Sequence, residues 1–236
     1  NVETFFDSTL DAANVLEFGF ENICVATGST WRRDGVARQH VVPFPIDDAM
    51  PIFTPDDMMG KASPSGHVVI YDDDHYYMGG VLAELLVKQG AKVTLITPSA
   101  YVSDWTNNTL EQATIHARLD EMGVDIVLNR GVTQVASDHV VSNCVYTGKT
   151  RTYPCDAVVM VASRTGNDQL FHGLTARQED WADAGIRSVK LLGDAEASGP
   201  IAWATYAGHR YARELDGADI GDDLPFRREI TELAAQ

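Results

Sequence analysis

At 236 residues, 44% of them apolar and 22% charged, the chain has an ordinary globular composition and is long enough to bury one large core or two smaller ones. Its formal charge of −16, with no cluster of Lys and Arg to offset it, would repel a phosphate backbone and argues against nucleic acid as a partner. No run of about twenty apolar residues or secretory leader pattern is present, and Cys24, Cys144 and Cys155 form no CxxC pair; we therefore expect no membrane span, a cytoplasmic location, and no disulfide framework, zinc site or iron–sulfur cluster in this segment.

Apolar residues at helical spacing from Thr9 to Phe18, with Gly19 behind them, predict a first helix. The short apolar run Asn22 to Ala26 then reads as a buried strand opening at Thr27-Gly28 onto a turn. From Trp31 to Pro51 there is no period and several prolines, which predicts a loop or crossover. Thr54-Pro55-Asp56-Asp57 supplies a cap, a proline for the first turn and acids for its positive end, so a short helix should run to Gly60.

His67 to Tyr71 reads as a strand, Gly79 to Gln89 as an amphipathic helix closed by Gly90, and Lys92 to Thr97 as a second strand, together a βαβ unit. A helix over 109–121 and a strand over 124–128 follow. Three further β-rich pieces, over 131–136, 139–146 and 152–161, suggest an antiparallel meander. Trp181 falls in a short helix, Val189 to Leu192 in a strand, and 200–215 in a long helix. Alternation of this kind predicts an α/β fold of Rossmann-like, three-layer domains, with ligands at the carboxyl ends of the parallel strands.

Two pieces bracket the inner βαβ unit: Ile23 to Gly28, ending in Ala26-Thr27-Gly28, and Val189 to Ala195, ending in Gly193-Asp194-Ala195. They resemble the two later fingerprints of flavoproteins with paired dinucleotide-binding domains, where the ATG strand-turn lies against the nucleotide and the GD turn aims an aspartate at it. The stretches His67 to Gly90 and Gly193 to Arg210 are similar to the C-terminal third of the trimethylamine, dimethylamine and histamine dehydrogenase family, and the likeness covers nearly the whole chain.

That resemblance implies an N-terminal (β/α)8 barrel carrying FMN and a [4Fe–4S] cluster, which this sequence does not contain. It also implies an electron-transferring flavoprotein as acceptor, and ADP or FAD in the outer domain. The site residues it implies are Ala26, Thr27, Gly28, Gly193, Asp194 and Ala195. The expected organisation is a partial outer FAD/ADP-binding-like domain with crossover over 1–62, an inner NAD(P)-binding-like domain over 63–163, and a return to the outer domain over 164–236. An open sheet edge on the outer domain makes a homodimer plausible.

A working nicotinamide site needs a G-x-G-x-x-G turn, because backbone must approach the pyrophosphate and helix N–H groups must bind it. Here the glycine positions fall on Asp74, Tyr76 and Gly79, and Asp72-Asp73-Asp74 stands where a dianion would have to sit. The second strand ends in Ile96-Thr97, with neither an acid for an NAD ribose nor an arginine for an NADP phosphate. NAD(P) binding is therefore not expected, and the aspartates read as caps of the following helix. His209 and Arg210 could approach a phosphate or form a polar helix face.

Two other readings stay open: an NAD(P)H-dependent flavin oxidoreductase of the dienoyl-CoA reductase kind, and a non-catalytic nucleotide-binding-like module. No hydrolase triad or metal spacing stands out.

Overall fold

The computed structural model describes residues 2–215 and 217. In chain order the elements are α1 (Ala12–Glu17), β1 (Asn22–Val25), β2 (Ser29–Trp31), β3 (Ile52–Phe53), α2 (Pro55–Met59), β4 (His67–Asp72), α3 (Tyr77–Lys88), β5 (Lys92–Ile96), α4 (Gln112–Glu121) and β6 (Asp125–Val127). They continue with β7 (Arg130–Val135), β8 (His139–Cys144), β9 (Thr150–Pro154), β10 (Ala157–Val161), β11 (Arg164–Gly166), α5 (Gln169–Thr175), α6 (Trp181–Ala184), β12 (Ser188–Leu191) and α7 (Ile201–Glu214). The chain falls into two units, a continuous one over Thr30–Thr165 and a discontinuous one formed by the segments before and after it.

The continuous unit is built on a five-stranded parallel sheet in the order β3-β10-β4-β5-β6. Val68, Val69, Ile70 and Tyr71 of β4 are all fully buried. A strand covered on both faces has no reason to alternate, which is why its sequence reads as one apolar run. Val68 and Ile70 face a core shared with Leu82 and Leu86 of α3 and Leu119 of α4. Val69 and Tyr71 face the opposite core, with Val132, Val140 and Tyr153 of the antiparallel sheet β7-β8-β9.

The β-rich stretch 152–161 resolves into two strands with different roles. Its first half, in β9, pairs antiparallel with β8, and its second half, β10, lies parallel to β4 in the middle of the large sheet. The break falls at Cys155-Asp156, where the Asp156 N–H donates to the His67 carbonyl at 2.8 Å and the Asp156 carboxylate accepts the His67 N–H at 2.7 Å. Periodicity alone could not place that break, because both halves are apolar and extended.

Local signals hold where a cap fixes them. Asp57 accepts hydrogen bonds from both the N–H and the hydroxyl of Thr54, at 2.7 and 2.9 Å, so α2 begins at Pro55 and stops at Gly60 as its sequence predicts. The first helix is shorter than its apolar spacing suggests, because Asp11 and Asn14 close a reciprocal capping box and start α1 at Ala12. Between Trp31 and Pro51 the chain is a long loop. Trp31 and Phe44 nonetheless join the cores of the continuous unit, so residues 30–62 group with the inner part of the chain.

In the discontinuous unit β1 and β12 pair in parallel from Asn22↔Ser188 to Val25↔Leu191. They pack with α1, α5 and α6 through Val15, Val25, Leu174, Ile186 and Val189. The Trp181 indole N–H donates to the Leu174 carbonyl at 2.9 Å, satisfying the one polar atom of a large partly buried side chain. Among the described residues no helix is long and apolar enough to cross a membrane.

Candidate functional site

Two places concentrate unusual chemistry, one in each unit. In the discontinuous unit the parallel pairing of β1 and β12 brings their carboxyl ends side by side, with the Leu192 N–H donating to the Val25 carbonyl at 2.9 Å. The turn Ala26-Thr27-Gly28 and the short 3-10 turn Gly193–Ala195 therefore leave the sheet at the same end. That is where ligands of parallel α/β sheets sit, because the loops there open a crevice.

The ATG turn is clasped by a residue with no sequence signal of its own. The Asn167 N–H donates to the Gly28 carbonyl at 2.9 Å and its side-chain amide to the Thr27 carbonyl at 3.2 Å, while the Thr27 hydroxyl donates to the Asn167 carbonyl. Gly28 has φ +76°, and a side chain added there would meet nothing within 4 Å, so backbone is presented to open space. Gly166 is needed for a different reason: a Cβ on it would lie 2.1 Å from the Ala195 carbonyl oxygen.

Asp194 approaches the Ser29 hydroxyl at 3.4 Å and the Gly199 N–H at 3.3 Å, contacts at the long limit of hydrogen bonding. Gly193 takes φ +60°. All six residues singled out from the sequence thus lie on two neighbouring turns of one unit, and Ser29, Gly166, Asn167 and Gly199 complete the surroundings. Arg210 pairs with Glu214 of its own helix at 3.0 Å, so it lies along a polar helix face.

In the continuous unit, Asp72 ends β4 and Asp73 and Asp74 follow it at the carboxyl edge of the sheet. Asp72 is fully buried; its Oδ1 accepts the His75 N–H at 3.0 Å and its Oδ2 has no partner. It lies against Gly79, where a Cβ would come within 2.5 Å of that oxygen. Burial pushes the Asp72 carboxyl up to about 7. Asp73, equally buried, accepts the Gln39 N–H at 2.8 Å, and its other oxygen lies 3.1 Å from His75 Nε2 without the alignment of a hydrogen bond.

Burial also raises Asp74, against the pull of the Arg164 and Arg38 guanidinium groups. The Tyr71 hydroxyl is buried without an aligned partner, and desolvation plus the adjacent carboxylates keep it protonated well above the usual phenol range. His75 itself sits at φ +66° ahead of α3. Carboxyl groups of the chain thus occupy the approach to the α3 N-terminus, the position at which a dinucleotide pyrophosphate would need free N–H groups. Among the described residues no grouping of three or more His, Cys, Asp or Glu could hold a metal ion.

Residues 53–169 match the family model described as the OYE-like second alpha/beta domain. The sequence is 32% identical to dimethylamine dehydrogenase of Hyphomicrobium sp. (strain x), over 93% of this chain and 33% of that protein. The structure of histamine dehydrogenase from Rhizobium sp. 4-9 is 68% identical, covers 100% of this chain and 37% of its own, and superimposes with a TM-score of 0.93. A 6-hydroxypseudooxynicotine amine oxidase from Pseudomonas geniculata N1 is 36% identical over 87% of this chain and 30% of its own, with a TM-score of 0.82.

These matches define a segment of a larger polypeptide that carries an OYE-like second alpha/beta domain. The chain spans about a third of the length of the relatives it matches. It belongs to the trimethylamine, dimethylamine and histamine dehydrogenase family, as part of the C-terminal region of those proteins.

Proposed function

We propose that this chain is the C-terminal nucleotide-binding segment of a flavin- and iron–sulfur-dependent amine dehydrogenase that passes electrons to an electron-transferring flavoprotein. The observation that carries the reading is the set of buried carboxyl groups at the end of β4, standing where a nicotinamide-using relative needs a glycine-rich phosphate cradle. An enzyme that hands electrons to a protein has no need of that cradle, and a dianion placed beside Asp73 and Asp74 would be repelled.

In this reading the discontinuous unit is the outer, FAD/ADP-binding-like domain and the continuous unit a Rossmann-like domain that has lost NAD(P) binding. Ala26, Thr27 and Gly28 would present backbone to ADP or FAD, and Asp194, at the head of the turn Gly193 to Ala195, would take a ligand hydroxyl. The open space over Gly28 fits a close nucleotide approach. FMN and [4Fe–4S] would belong to an N-terminal barrel outside this segment, since three scattered cysteines cannot supply four cluster ligands. Assembly as a homodimer accompanies this reading.

Isothermal titration of the chain with ADP, FAD, NADH and NADPH tests it. The expected result is no micromolar binding of either nicotinamide, with any ADP or FAD binding weakened by Asp194→Ala. Micromolar NADH or NADPH binding would instead favour a reductase of the dienoyl-CoA kind. Failure of every nucleotide, in the full-length enzyme as well as in this chain, would favour a non-catalytic module.

A further inference from the structure

The ligand crevice of a parallel α/β sheet lies over the carboxyl ends of its strands. In the continuous unit that edge is crossed by residues 32–44, part of the long loop between β2 and β3. The Arg32 N–H donates to the Ser163 carbonyl, just beyond β10, at 2.9 Å, and the Ser163 hydroxyl returns a hydrogen bond to the Val36 carbonyl. The Gln39 N–H is held by the buried Asp73 carboxylate, just beyond β4. The Arg38 guanidinium lies 5.6 Å from the Trp105 ring, in the loop beyond β5. Gln39 also sits over β7, close enough that a Cβ on Gly131 would meet its side chain at 2.9 Å.

The segment is also braced internally. Asp34 accepts the Val36 N–H at 3.1 Å through its side chain and the Phe44 N–H at 3.4 Å through its carbonyl, and the Ala37 N–H donates to the His40 carbonyl at 2.8 Å. Phe44 anchors the far end in the core, edge-on to Tyr71 with ring centroids 6.2 Å apart. It passes so close beneath Gly35 that a Cβ there would fall 2.0 Å from the ring. A loop of this length inside a compact unit is uncommon unless it has a task.

We propose that residues 32–44 are a self-occluding strap: the chain fills its own inner crevice and pins the filling to the Asp73 carboxylate, so that no dinucleotide can enter. This goes beyond charge repulsion, because the acids are here the anchor of a steric plug. The identity of the excluded ligand rests on the reading of this unit as a former nicotinamide domain; the occlusion itself does not.

Hydrogen–deuterium exchange on the whole chain reads the strap directly. The expected result is that the peptide over 36–44, with four hydrogen-bonded amides, is protected in the wild type, and that Asp73→Ala speeds its exchange by about tenfold or more while β5 is unchanged. Asp73→Asn, which keeps an acceptor oxygen, should restore the protection. Gly35→Ala displaces Phe44 and supplies an independent release should Asp73→Ala fail to fold. Exchange of 36–44 at the unprotected rate in the wild type, or no change on either release, overturns the strap while leaving the lost-site reading intact. NADH binding to the wild type overturns occlusion and lost site together.

Discussion

At the scale of single residues, Asp72 and Gly166 carry the sharpest consequences. The Asp72 carboxyl titrates near 7 in the folded chain, against an ordinary value of 3.8, chiefly through burial. Between those two values the folded state holds a proton that the unfolded state has released. Its contribution to stability is complete below about pH 4 and lost as the pH rises towards 7, at up to about 1.4 kcal/mol per pH unit. Asp72→Asn should flatten the stability curve over that window, as read by urea unfolding at a series of pH values; an unchanged slope would show that the carboxyl is already solvated. Gly166→Ala places a methyl against the Ala195 carbonyl and should cost about 1–3 kcal/mol by displacing the Gly193–Ala195 turn. A thermal midpoint equal to that of the wild type would mean that the turn yields freely.

Among the elements, α2 and α3 show how a helix N-terminus can be satisfied by different means. In α2 a single carboxylate, Asp57, ties back to Thr54, and Arg33 pairs with the same carboxylate on its exposed side. Asp57→Ala should destabilise the continuous unit by about 0.5–2 kcal/mol, the usual worth of a cap, measured by chemical denaturation. No loss would imply that the packing of Met58 alone positions the helix. In α3 the preceding aspartates and a left-handed His75 take over the approach that glycines and a bound phosphate occupy in a dinucleotide site. The helix itself is held from its other side: Leu82, Ala83 and Leu86 are buried against β4 and β5, so Leu86→Ala should cost about 2–5 kcal/mol whatever happens at the N-terminus. A smaller loss in thermal unfolding would show that the core closes over the gap.

Across the whole molecule, the sequence is read most securely where its signals are short-range. The cap at Thr54, the uninterrupted apolar run of β4, and three aspartates in place of a glycine turn were legible because each depends on neighbours within a few residues, whereas the capping box at Asp11 that shortens α1 was not read. The likeness of the Ala26-Thr27-Gly28 and Gly193-Asp194-Ala195 pieces to flavoprotein fingerprints was legible too, since order and spacing survive in a linear text. The strand break at Cys155-Asp156, and with it the place of β10 beside β4, was not, because both halves are equally apolar. Asn167 escaped notice because its partners lie 140 residues away and only chain return brings them together. The strap was hidden for the same reason: its text lacks a period, and its meaning lies in hydrogen bonds to Asp73 and Ser163. The sequence by itself therefore determined the element types, the three aspartates that stand in place of a glycine turn, and the family resemblance. Tertiary structure alone decided which carboxylates lose their water, what fills the crevice and which residue clasps the Ala26-Thr27-Gly28 turn, because desolvation and long-range contact exist only once distant segments pack.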